Sequence, residues 1–90
     1  MSAIAGLLRF DGHTVVRRDL ERVANTLHLH GPDRSDLMVA GHVGLVHVLM
    51  RMTPEDRFDR QPWRGASGSV ITADLRLDNR DDVLARIGVA

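Results

Sequence analysis

MSAIAGLLRFDG, residues 1–12, is the stretch on which the reading of this chain turns. Ala3 to Phe10 form a mostly apolar run that stops at Asp11-Gly12, a turn dipeptide, so the chain is expected to open on a buried strand. The strand begins almost at the initiator methionine. A small side chain at position 2 favours removal of Met1, which leaves Ser2 as the first residue. A terminal serine carries a hydroxyl and an α-amino base on one residue, the parts of an N-terminal nucleophile. It is equally a small residue that fits at a strand start. These twelve residues leave both readings open.

Outward from this strand, Leu20, Val23, Ala24 and Leu27 recur at i, i+3, i+4 and i+7, one apolar stripe of a helix over Asp19 to Leu27, with Glu21 and Arg22 turned outward. Gly31-Pro32 cannot continue a helix, so it stops near His28 to His30. Leu37 to Ala40 and Val43 to Met50 are β-rich and joined by Gly41-His42, a hairpin pattern. Thr53-Pro54-Glu55-Asp56 reads as a cap with proline at the first helical position. Arg60 to Gly68 reads as a loop holding the single tryptophan, Trp63. Alternation predicts a strand over Ser69 to Leu77. Asp78-Asn79 then caps a closing helix with Val83, Leu84 and Ile87 on its apolar face, and Gly88 stops it. Met38, Met50 and Met52 read as core filler.

Composition narrows the function classes. Ninety residues allow one domain, and such a chain buries only about 60–65% of its unfolded surface. Twelve acidic and twelve basic side chains cancel, which argues against a nucleic-acid or membrane surface. There is no cysteine, hence no disulfide and no thiol nucleophile. No apolar run is long enough to cross a membrane and no signal-peptide pattern opens the chain, so a cytoplasmic location is expected. The five histidines, with His28-x-His30 and His42 to His47 as the near pairs, lack the tight ligand spacing of a zinc site, and no metal is expected.

Five spaced stretches, MSAIAG (1–6), HGPD (30–33), GLVHVLM (44–50), QPW (61–63) and ADLRLDNRDDV (73–83), together resemble the glutamine amidotransferase domain that opens the asparagine synthetase family. Their order and spacing match the family's M-C-G-I-A-G, R-G-P-D, G-L-x-H-x-R-L, Q-P and N-G-E-I-Y-N stretches. The resemblance implies an α+β fold over residues 1–90, the first half of an N-terminal-nucleophile four-layer αββα sandwich, with mainly antiparallel sheets and helices outside. It also implies that the synthetase domain lies outside this chain.

The departures from the family pattern fall on the pocket. Ser2 stands where the family has its cysteine nucleophile, and His30 where it has an arginine. Leu49 replaces the arginine that grips the glutamine carboxylate; Asp74 and Leu75 fall on the oxyanion-hole Asn-Gly, and Arg76 on the glutamate that holds the substrate's amino group. A carboxylate at Asp74 repels a developing oxyanion, where one donor is worth about 2.7–4 kcal/mol. Leu49 offers no charge-assisted fork. The resemblance thus implies a degenerate glutamine pocket and a domain without glutaminase activity.

Relatives that dispense with glutamine are the β-lactam synthetases and lasso-peptide macrolactam synthetases, and ADLRLDNRDDV is similar to the lasso branch. The expected role is then a non-catalytic scaffold of an ATP-dependent amide-forming synthetase, which adenylates a carboxylate for attack by an intramolecular amine. ATP and Mg are expected for that missing domain and no cofactor for this chain. The expected partners are the remainder of the same protein, where Trp63 is a candidate anchor, and a precursor peptide. The isolated chain is expected to self-associate through unpaired edges. Three alternatives stand beside this reading: a Ser2-dependent N-terminal amidohydrolase, a peptide-binding module, and an asparagine synthetase-like protein of other substrate.

Overall fold

The nearly unbroken apolar run VGLVHVL, Val43–Leu49, suits a central strand, and this strand is the centre of the molecule. In the computed structural model, which describes residues 2–75 and 78–88, it is flanked on both sides. The elements in chain order are β1 (Ala3–Leu8), α1 (Arg17–Leu27), a 3₁₀ turn (His28–His30), β2 (Arg34–Ala40) and β3 (Val43–Leu49). A second 3₁₀ segment (Pro54–Phe58), the short pair β4 (Trp63–Arg64) and β5 (Val70–Ile71), and α2 (Arg80–Arg86) follow. The described architecture is α+β: a three-stranded sheet in the order β1-β3-β2, a two-stranded sheet β4-β5, and two helices. All ladder pairings in both sheets are antiparallel.

Register assigns the two faces of the larger sheet. Ala3 pairs with Val48 and Ala5 with Val46, and on the other side Leu37 pairs with Val46. This face receives α1, and the core is Val15, Leu20, Ala24, Val46 and Val48. The helical stripe read from the sequence is therefore the face that packs, with Leu20 and Ala24 buried and Leu27 packed beside them. A β-carbon at Gly44 would stand 2.6 Å from Leu20 Cδ1, so the bare backbone there lets the helix close on the sheet. Gly41, with φ of +62°, and His42 make the two-residue hairpin loop, Ala40 pairing directly with Val43.

Several expectations need correction. β1 is an edge strand, not a buried one: Ile4 and Leu8 are 43% and 48% exposed, because one side and much of one face have no neighbour. α1 begins at Arg17, two residues earlier than the stripe required. Residues 60–68 are not all loop, since Trp63 and Arg64 pair with Ile71 and Val70. The strand expected over Ser69 to Leu77 shrinks to Val70–Ile71; residues 76 and 77 lie outside the described residues. Met50 and Met52 are exposed rather than core, and Ile87 is exposed at the end of α2. Asn79 takes the N-cap place of α2 without a side-chain cap bond. Among the described residues no helix is long and apolar enough to cross a membrane.

Candidate functional site

The face of the larger sheet turned away from α1 carries Ile4, Leu45, His47 and Leu49, and its far end opens into a cavity of about 690 Å³. Ser2, Leu49, Asp74 and Leu75 all line it, although 72 residues separate the first from Asp74 in the chain. Four of the six positions singled out from the sequence are thus brought together. His30 is not among them: it lies exposed in the 3₁₀ turn after α1. Arg76 lies outside the described residues.

Ser2 is placed by the strand that follows it. β1 runs beside β3, so the residue before β1 falls next to the end of β3, and the Ser2 hydroxyl accepts a hydrogen bond from the Met50 N–H at 3.0 Å. The wall beyond it is held by the His30–Asp33 segment. Gly31 passes so close to β3 that a β-carbon there would lie 2.3 Å from the carbonyl carbon of Val48, which no side chain tolerates. Asp33 donates its N–H to the Leu49 carbonyl at 3.0 Å, and its carboxylate accepts from the Arg51 N–H at 2.7 Å. Gly31-Pro32-Asp33, read from the sequence as the end of the helix, fixes the segment that carries Met50.

The opposite wall depends on Gln61. Its side-chain carbonyl accepts from the Ala73 N–H at 2.6 Å and the Thr72 hydroxyl at 3.1 Å, while its amide donates to Asp59 at 3.0 and 3.2 Å. One side chain therefore places Asp59 and Ala73, both at the cavity. Asp56 accepts from the N–H groups of Met52 and Thr53 at 2.6 and 2.9 Å, capping the 3₁₀ segment as the Thr-Pro-Glu-Asp pattern suggests.

The electrostatics are one-sided. Asp56, Asp59, Asp74 and Asp78 line the cavity, and no arginine of the described residues does. His47, met in the sequence in the His42 to His47 pair and in the GLVHVLM stretch, reaches the same space. It is 3% exposed and its ring makes no hydrogen bond or ion pair among the described residues. No sealed side-chain nitrogen or oxygen lacks a partner there, so the free imidazole edge opens onto the cavity. Strict alternation along VGLVHVL would have found it, since His47 faces opposite to Val46 and Val48. No three His, Asp or Glu side chains among the described residues gather in a way that holds a metal ion.

The site accommodates a cation better than an anion. A substrate carboxylate or a tetrahedral oxyanion placed here meets carboxylates, while an ammonium meets complementary charge. Comparison with family models, with curated proteins and with solved structures finds no match to this chain.

Proposed function

We propose that this chain is a glutaminase-dead, amidotransferase-like domain, the first half of an N-terminal-nucleophile four-layer sandwich that serves as scaffold for an ATP-dependent amide-forming synthetase of the asparagine synthetase type. The parent enzyme we favour is a lasso-peptide macrolactam synthetase. One observation carries the reading: Ser2, Leu49, Asp74 and Leu75, the positions that differ from the active family pattern, line a single cavity beside the end of β3. That these four positions share one cavity supports the reading.

The chemistry of those remnants argues against turnover. A Ser2 hydroxyl attacking an amide generates an oxyanion, which needs donors where negative charge develops. At the expected side-chain donor position Asp74 presents a carboxylate instead of an amide, and at Leu75 only the backbone N–H remains as a donor. The residues described here do not fit ATP or Mg either, since no phosphate-cradling glycine loop occurs and no acidic trio gathers. We therefore assign the nucleotide chemistry to a separate domain and no step of it to these side chains.

The test is ammonia release from glutamine by protein with Met1 removed, alongside Ser2→Ala and Ser2→Cys. No turnover is expected from any of the three, because restoring sulfur leaves Leu49 and Asp74 in place. Release that Ser2→Ala abolishes would favour the amidohydrolase reading instead.

A further inference from the structure

The acidic cavity has an apolar extension. A groove of about 390 Å³ lies beside it, walled by Phe58, Trp63, Ile71 and Leu75, and shares Asp59, Ala73 and Leu75 with the cavity. Its apolar side chains are solvent-exposed, Phe58 by 69%, Trp63 by 60% and Leu75 by 72%. Charge and apolar surface are thus joined end to end.

We propose that this composite site binds an organic ammonium with an apolar arm, the ammonium in the cavity between Asp74 and His47 and the arm along Trp63 and Leu75. Two observations point the same way independently. Asp74 makes no hydrogen bond or ion pair among the described residues, so its carboxylate is available to a ligand. His47 is 97% removed from solvent by its 3% exposure, yet its ring has no protein partner and opens onto the same space. A neutral imidazole offers one acceptor nitrogen, and an ammonium has three donors to share between it and nearby carboxylates. The accessible nitrogen edge of His47 leaves room for a ligand donor in place of water.

The arm's character follows from its surroundings. Arg60 also borders the groove, with its guanidinium donating to the Arg57 carbonyl at 2.9 Å. Arg60 disfavours a second cation at that end and Asp59 disfavours an anion, so the arm is uncharged and apolar. An inorganic divalent cation is disfavoured as well, because the carboxylates do not converge as a ligand set among the described residues. The proposal goes beyond the loss of glutaminase activity: it concerns equilibrium binding, and holds or fails whether or not Ser2 is inert.

The experiment is a titration of the full ninety-residue chain, followed by amide and imidazole NMR signals, with 2-phenylethylamine, its N-acetyl derivative, 3-phenylpropionate and Mg²⁺ as separate probes. Saturable shifts are expected with the amine at Asp74, Ala73, Trp63 and the His47 ring, and none with the carboxylate. Asp74→Asn, at an exposed position that leaves packing untouched, is expected to weaken amine binding about fivefold, the scale of one exposed charge pair. His47→Phe, which keeps a ring but removes its acceptor, is expected to weaken it further while the far-UV signature of the sheet persists. Equal binding of the N-acetyl derivative or the carboxylate would overturn the proposal, because the groove would then be merely apolar. Displacement of the amine by Mg²⁺ at the same residues, or amine binding unaffected by Asp74→Asn, would overturn it too.

Discussion

The two halves of the chain are built by different forces. Residues 3–49 contain every buried apolar side chain of the described residues, all but Leu49 gathered where α1 lies on β3. The described residues of 50–88 include none; Phe58, Trp63, Ile71, Leu75 and Ile87 stand in solvent. What orders that second half is polar: the Gln61 bonds to Asp59, Thr72 and Ala73, and the Asp56 cap. A net hydrogen bond contributes about 1 kcal/mol, while a buried leucine contributes two or three times that. The first half is therefore the stable body, and the second is an arm that shapes a cavity against it.

The comparison breaks most readily at the core. Leu20→Ala is expected to cost about 2–4 kcal/mol in urea unfolding, a large share of a small domain's stability. If it costs no more than a surface change, the first half is not the stable body. Gly44→Ala comes next, at about 1–3 kcal/mol, because the added methyl meets the end of Leu20 and the helix must lift or the side chain turn.

Changes in the second half should be smaller and local. Gln61→Ala is expected to cost about 1–2 kcal/mol, with lost hydrogen-exchange protection at Ala73 and no change at Val46 or Val48. Equal loss of protection in β3 would show the halves to be one cooperative unit. Phe58→Ala should stay within about 0.5 kcal/mol despite removing a large aromatic, since its ring is already solvated.

The smallest effect is electrostatic. The Arg9 guanidinium bonded to Asp11, aided by the His13 N–H, holds the Asp11 carboxyl at about 2, below the usual carboxylate range. Its contribution to stability is complete above the unfolded value near 4 and is lost as pH falls toward about 2. Asp11→Asn should remove that slope from an acid titration of stability and, at neutral pH where the contribution is complete, lower stability slightly.

How far the fold could be read in advance follows the same division. The α1 stripe and the hairpin at Gly41-His42 were legible because each depends on neighbours three or four residues away, or on one glycine. The exposure of β1 was not. An apolar run reads alike at the centre or the edge of a sheet, and only the order β1-β3-β2, a matter of distant pairing, decides between them. The shortening of the strand at 69–77 was hidden for a related reason: Thr72 and Ala73 give donors to Gln61, a side chain eleven and twelve positions away.

At the site, Ser2, Leu49, Asp74 and Leu75 were named from motif spacing and do share one cavity. His30 was named on the same ground and lies apart, because the chain leaves its turn along the backbone of β3 rather than toward the cavity. Asp56, Asp59 and Gln61 carried no motif that marked them as wall residues. Their roles arise from where a short polar segment comes to rest.

The near-contact of Gly31 with the main chain of Val48 and Leu49 has a mechanical meaning. Elsewhere a side chain acts as a cushion between segments, and small displacements die out in its rotations. Here two ribbons touch directly, with Asp33 pinned to the next residues along, and the far end of that contact holds Ser2 through Met50. A push at the end of α1 has little slack to absorb it before it arrives at Ser2.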